Sequence, residues 1–205
     1  MHLRIIITRL VLIVLAVGFA NAPALPFSDE PEPAPIVERK LDFYDFNFNA
    51  IEGGPFNLRD YASGKRIVIV SFIAGWCGNS NRNGHVLKRL YDKYHARGLG
   101  AVVVTEYSDA DEVRIHINRI GIDYPVVTET TSRNDRKDSQ HYKYRRAVGD
   151  KRKWGTPFYV ILDARDIETS APKAPLARHV FTVSGEIVES EAEAFIEQHL
   201  STQQN

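Results

Sequence analysis

The residue best suited to chemistry is Cys77, the only cysteine among 205 residues. It follows a run of β-branched and apolar residues at 67–73, and a polar segment after it leads into a helical pattern. We therefore expect a buried strand to deliver the thiol to the first turn of a helix, where free backbone N–H groups stabilise a thiolate. Because no second cysteine exists to form an internal disulfide, Cys77 is either a reactive thiol or an inert buried side chain.

Three neighbours of the thiol complete this candidate site. The backbone amides of Asn79, Ser80 and Asn81 are the expected donors to a thiolate. Trp76 directly precedes the cysteine and is expected to flank the sulfur and to contact substrate. The Ser80 hydroxyl can hydrogen-bond the thiolate or cap the helix, but it cannot attack a mixed disulfide as a second thiol would.

A second candidate element is Thr156-Pro157, which directly precedes an apolar strand. A proline in a tight approach to a strand makes this peptide bond a candidate for the cis form. The backbone of Thr156 would then be open to strand-like pairing with a substrate chain near the sulfur. We therefore assign Trp76, Thr156 and Pro157 to substrate binding, and Cys77 and Ser80 to catalysis.

The surrounding pattern predicts one α/β domain. Apolar runs predict buried strands at 67–73, 99–105, 124–127, 158–162 and 178–183, with an edge strand at 41–48. Helical periodicity predicts helices near 86–98, 109–120, 139–148 and 191–200, and the charged stretch 129–153 is expected to be a surface excursion. Such alternation favours a central mixed sheet with helices on both faces. Ligand sites in these folds lie beyond the carboxyl ends of the strands, where Cys77 falls.

The amino terminus has the pattern of a secretory signal. Arg4 and Arg9 precede an apolar core at 10–19, and small residues follow at 20–24. We predict a leader at 1–24, a Pro-rich acidic linker at 25–40 and the folded domain at 41–201. The protein would then be exported to the periplasm or the extracellular space, and it would be tethered to a membrane only if the leader stays uncleaved.

Composition argues against several classes of partner. Lys plus Arg equals Asp plus Glu at 26 each, which favours neither nucleic acid nor an anionic membrane. The histidines at 85, 95, 116 and 141 have no ligand spacing, so we expect no metal site.

The order of these elements resembles the thioredoxin fold, a three-layer α/β arrangement. Residues 56–58, 64–65, 76–77, 87–98 and 155–157 are similar to exported TlpA-like thioredoxins and to the wider redoxin (AhpC/TSA-like) group. The resemblance implies that Cys77 is the attacking cysteine and Pro157 the cis-proline, in a protein that needs no bound cofactor. Ser80 stands where the family has its resolving cysteine. Release of a mixed disulfide would therefore require an external thiol, such as glutathione or a partner dithiol.

A partial resemblance to glutathione-peroxidase-type enzymes leaves an alternative open. Trp154 matches the tryptophan of those enzymes, whereas Gly155 occupies the position of their asparagine. Three hypotheses follow: a monothiol oxidoreductase acting on protein disulfides or low-molecular-weight thiols, a one-cysteine thiol peroxidase, and a redox-silent binding module.

Overall fold

The fold is built on a central sheet of eight strands. The computed structural model describes residues 30–167 and 173–201, so the predicted leader lies outside the described residues. The eight strands are β2 Val37–Phe43, β3 Asn47–Ala50, β4 Pro55–Asn57, β5 Ile67–Ile73, β6 Leu99–Thr105, β7 Val126–Thr128, β8 Phe158–Asp163 and β9 Ala177–Val183. In the sheet they are ordered β2-β9-β8-β5-β6-β7-β3-β4. A separate pair joins β1 Pro33–Ala34 to β10 Glu186–Ile187.

The central strands are parallel and the outer ones antiparallel. Strand β6 runs parallel to β5 and β7, whereas β8 is antiparallel to both β5 and β9. Every residue of β5 and β6 is buried, which explains why both strands appear in the sequence as runs of apolar and small residues. The predicted strands at 67–73 and 99–105 are confirmed at both ends.

Helices cover both faces of the sheet. Their bounds are α1 Leu58–Ala62, α2 Gly78–Tyr94, α3 Ala110–Ile120, α4 Gln140–Ala147 and α5 Glu189–Ser201. One set of alternating β5 side chains packs with residues of α2, α3 and α5, and the other set packs with residues of α1 and α4. The three-layer α/β fold with a mixed central sheet is therefore confirmed.

The region before residue 50 differs from expectation. The predicted edge strand at 41–48 is two strands, β2 and β3, because the Asp45 carboxylate accepts the backbone N–H groups of Phe46 and Arg59 and interrupts the extended chain. The predicted linker at 25–40 also contains structure, since β1 and the first half of β2 lie within it. The folded part therefore begins before residue 41.

The charged segment 129–153 is less superficial than expected. It carries the predicted short helix, α4, but His141 and Arg145 of that helix are fully buried. Arg145 lies 3.2 Å from the carboxylate of Asp150, so these two charges are buried as a pair. In the part of the chain that the structure describes, no helix is long and apolar enough to cross a membrane.

Candidate active site

Cys77 is the residue at which β5 gives way to α2. It is the N-cap of α2, in an extended conformation, and its side chain is half-buried. The first helical hydrogen bond runs from the amide of Asn81 to the Cys77 carbonyl at 3.0 Å. The Asn81 amide is therefore committed to the helix, which corrects its expected role as a donor to the sulfur. The other two expected donors, the backbone amides of Asn79 and Ser80, lie earlier in the first turn of α2, before its first intrahelical hydrogen bond.

The loop before β8 forms the wall opposite the thiol. Cys77 Sγ donates a hydrogen bond to the Thr156 carbonyl oxygen at 3.4 Å, and the Thr156–Pro157 peptide bond is cis. Thr156 is 5% exposed, and its hydroxyl has no hydrogen-bond partner among the residues that the structure describes. The two elements singled out from the sequence, 79 residues apart, are thus in contact.

Trp76 flanks the site from the side of β6. Its indole N–H donates to the Tyr107 carbonyl at 3.0 Å, and its ring meets Trp154 edge to face at 5.5 Å. Tyr107 has a φ of 56°, the left-handed region that side chains other than glycine rarely adopt. The strained Tyr107 backbone thereby presents the carbonyl that holds the indole.

Ser80 points away from the surface. The residue is fully buried, and its hydroxyl accepts a hydrogen bond from the Ala74 amide at 3.4 Å. The hydrogen bond that the structure gives Ser80 therefore braces the chain before the thiol and does not involve the sulfur. A direct catalytic role for Ser80 stays a prediction.

Asn81 and His116 support the thiol from behind, and sequence reasoning missed both roles. The side-chain amide of Asn81 donates through Nδ2 to the backbone carbonyls of Gly75 and Cys77 at 3.0 and 3.1 Å. Its oxygen lies 2.8 Å from Nδ1 of His116, so His116 donates there. Burial, followed by the charge of Arg119, lowers the pKa of His116 to about 4 and keeps the ring neutral. The only signal in the sequence was the pairing of a polar residue on α2 with one on the apolar face of α3.

His141 holds the opposite wall from inside. Its Nε2 lies 3.2 Å from the Gly155 carbonyl, so Nε2 carries the proton, and its Nδ1 accepts from the Tyr107 hydroxyl at 2.9 Å. Burial and then the charge of Arg145 hold the pKa of His141 well below its usual range. A neutral His141 thus links the tyrosine beneath Trp76 to the residue that precedes Thr156.

A buried carboxyl lies next to this network. Glu106 directly precedes Tyr107 and is fully buried. Burial, followed by the neighbouring carboxyl of Glu129, raises the pKa of Glu106 well above its usual range. The Glu129 carboxylate also accepts the His141 amide at 3.3 Å, which ties the pair to the first turn of α4.

These elements enclose a cavity of about 170 Å³ beside the thiol. The α2 side of the cavity comprises residues 76–79, and the opposite side comprises residues 152–156 and Glu32, from the segment before β1. Arg152 fixes the opposite side by donating to the carbonyls of Gly155 and Pro157 at 3.3 and 3.1 Å. Within residues 30–167 and 173–201, no cluster of His, Cys, Asp or Glu could hold a metal ion. The arrangement can present a thiol and a carbonyl acceptor to a small or extended substrate.

Comparison with known proteins identifies the family. The model of the Redoxin family matches residues 39–195, which include Cys77 and Thr156. The chain belongs to the Redoxin family. No curated protein matches the chain.

Several solved structures share the fold of this chain at low sequence identity. One is a thiol:disulfide interchange protein from Chlorobium tepidum TLS, at 18% identity and a TM-score of 0.56. The match covers 79% of this chain and 97% of the Chlorobium chain. Another is a secreted disulfide oxidoreductase from Mycobacterium tuberculosis, at 13% identity and a TM-score of 0.52, with coverages of 75% and 95%. At these identities the likeness shows the thioredoxin fold alone.

Proposed function

We propose that this Redoxin-family protein is an exported thiol–disulfide oxidoreductase that acts through Cys77 alone. The observation that carries the proposal is the contact of Cys77 Sγ with the Thr156 carbonyl at 3.4 Å, at the amino terminus of α2 and on the edge of a cavity. An inert core cysteine would have no reason to border a cavity, and this one is only half-buried.

The reaction is an exchange of sulfur bonds. The thiol loses its proton to solvent, and the thiolate attacks one sulfur of a substrate disulfide. A bond forms between Sγ and that sulfur, the substrate S–S bond breaks, and the departing sulfur takes the electron pair and then a proton. Cys77 is oxidised to a mixed disulfide while the departing half is reduced. Because the chain has no second cysteine, an external thiol must attack the mixed disulfide and release Cys77.

The wall opposite the thiol supports substrate positioning. In the resting state the Thr156 carbonyl accepts the Cys77 S–H. When the thiol ionises, that carbonyl loses its donor and becomes free to accept an N–H from a substrate backbone. Trp76, fixed through its indole N–H, excludes water from one side of the sulfur. We propose that Thr156 and Pro157 align the substrate while Trp76 covers the reacting atoms.

The proposed location and substrates rest on the amino-terminal sequence and on the structural neighbours. Residues 1–24 have the pattern of an export leader, and one structural neighbour is described as secreted. Neighbours are named as thiol:disulfide interchange proteins and disulfide oxidoreductases. These names, with the family match, favour protein disulfides or low-molecular-weight disulfides as substrates.

Intact-mass spectrometry after exposure to a neutral disulfide, bis(2-hydroxyethyl) disulfide, tests the proposal. We expect one adduct on the folded protein and none on Cys77→Ser, with both proteins giving the same circular dichroism spectrum. A parallel sample receives hydrogen peroxide and dimedone. Rapid dimedone labelling together with a failure to form the disulfide adduct would favour the peroxidase. A thiol that reacts with neither reagent would favour the redox-silent binding module and would overturn the proposal.

A further inference from the structure

Cations lie over the two tryptophan rings beside the thiol. The Arg133 guanidinium is 4.9 Å from the Trp76 ring centroid. Arg136 and Lys153 lie 5.2 and 5.4 Å from the Trp154 ring centroid. We call Arg133, Arg136 and Lys153 the cationic rim. Lys153 lines the cavity itself, whereas the two arginines lie against tryptophan rings that line it, and the rings help to hold these cations in place.

The charge of this rim is largely uncompensated. Arg133 meets Glu112 at 3.4 Å, but the Arg133 side chain is exposed and that of Glu112 partly so, which makes the pair weak. Arg136 and Lys153 have no carboxylate within ion-pair distance in the described part of the chain. Among the residues that line the cavity, Glu32 is the one acidic side chain. The charged side chains that line the cavity, Arg152, Lys153 and Glu32, therefore sum to a positive charge, although the whole chain is neutral.

Arg152 already shows how a carboxylate sits at the cavity. Its guanidinium lies 3.0 Å from the carboxylate of Glu32, which is partly exposed, and 2.8 Å from the buried carboxylate of Asp150, which Arg145 shares at 3.2 Å. The backbone of Glu32 is held independently, since its carbonyl accepts the Glu186 amide at 2.7 Å. The Glu32 side chain can consequently leave Arg152 without releasing its segment.

A second polar group at the cavity has no partner. The Thr156 hydroxyl belongs to a residue that is 5% exposed and borders the cavity, and it makes no hydrogen bond to any described residue. A buried hydroxyl without a partner is costly, and a polar group on a bound molecule would satisfy it.

We infer that the cationic rim and Arg152 select a low-molecular-weight disulfide that carries carboxylates close to its sulfurs. The inference rests on the proposed exchange at Cys77 and adds the substrate class. A cavity of about 170 Å³ accepts one small half of such a molecule. One carboxylate takes the place of Glu32 on Arg152, and the other half leaves past the rim cations.

A charge series of similar small disulfides tests the inference: dithiodiglycolate carries two negative charges, bis(2-hydroxyethyl) disulfide none, and cystamine two positive charges. We expect mixed-disulfide formation at Cys77, corrected for each reagent's rate with free cysteine, to be at least about tenfold faster with dithiodiglycolate than with cystamine. The difference should shrink towards one at 1 M salt, where screening is strong.

Variants locate the effect on the rim. Lys153→Gln should lower the ratio of the dithiodiglycolate rate to the neutral rate about threefold, and Arg136→Gln should act in the same direction. Glu32→Gln should raise that ratio. The matched control is Arg114→Gln on α3, an exposed arginine that pairs with Asp111, and it should leave the ratio unchanged.

The two proposals fail in different ways. Equal corrected rates across the series, or a ratio that falls as much in Arg114→Gln as in Lys153→Gln, would overturn the anionic substrate class and leave exchange at Cys77 standing. A preference for an acidic peptide disulfide with no preference in the small series would also overturn it, in favour of a protein substrate. No adduct with any reagent would overturn the proposed function itself.

Discussion

Gly155 is the position where adding one methyl group should disturb the site most. The residue has a φ of +64°, so an alanine there would carry backbone strain of about 1–2 kcal/mol. Its Cβ would also collide with Nη1 of Arg145, which must move. Arg145 is fully buried against Asp150 at 3.2 Å, and breaking a buried ion pair costs about 3–5 kcal/mol. Gly155→Ala should therefore lower the free energy of unfolding by about 4–7 kcal/mol.

Gly149 supplies the matched control. It also has a positive φ, +87°, but a Cβ there would meet no atom within 4 Å. Gly149→Ala should therefore show the backbone strain alone, about 1–2 kcal/mol. Urea unfolding of both variants, followed by circular dichroism, measures the difference. Equal losses in the two variants would refute the claim that Arg145 packs against Gly155 and supports the wall opposite Cys77.

Three further variants test the parts of the site. Ser80→Cys places a second thiol one turn after Cys77, so the adduct with bis(2-hydroxyethyl) disulfide should become transient in mass spectra, and a persistent adduct would show that position 80 cannot reach it. Asn81→Ala removes the bonds that brace the Cys77 loop and should cost about 1–3 kcal/mol in urea unfolding while changing the alkylation rate of Cys77; an unchanged rate would refute the brace. Because burial lowers the pKa of His116 to about 4, the unfolded chain takes up a proton first as pH falls from 6.5 to 4. Stability should therefore fall by about 3 kcal/mol across that window, and His116→Gln should lose this part of the pH dependence, whereas identical pH profiles would contradict the assignment.

The sequence predicts the parts of this fold that depend on local pattern. The buried strands β5 and β6 have clear limits because every residue in them is apolar or small. The placement of Cys77 at the start of α2 and its approach to Thr156 followed from strand and helix order together with the family resemblance. The interruption at Asp45 was not predicted. It depends on hydrogen bonds from two backbone N–H groups, one of them of Arg59, to the Asp45 side chain, and a periodic sequence pattern does not reveal such contacts.

The hydrogen bonds and ion pairs that support the site could not be predicted from the sequence, for a different reason. Charged and polar residues such as Arg145 and His141 normally indicate a solvated surface, so the segment that holds them was assigned to the exterior. They are buried because Asp150 and Gly155 provide partners at close range, and those pairings depend on the tertiary fold. Ser80 shows the converse, since its position beside the thiol in sequence suggested a partner for the sulfur, whereas its hydroxyl turns inward to Ala74.

The central claim is that the fold makes Cys77 a reactive thiol. The most direct test compares the second-order rate of its reaction with bis(2-hydroxyethyl) disulfide at pH 7 in the folded protein and in a synthetic peptide of residues 72–82. We predict a faster reaction in the folded protein, because the first turn of α2 stabilises the Cys77 thiolate there, whereas in the peptide the thiolate is stabilised by water alone. A rate in the folded protein equal to or below that of the peptide would contradict the account.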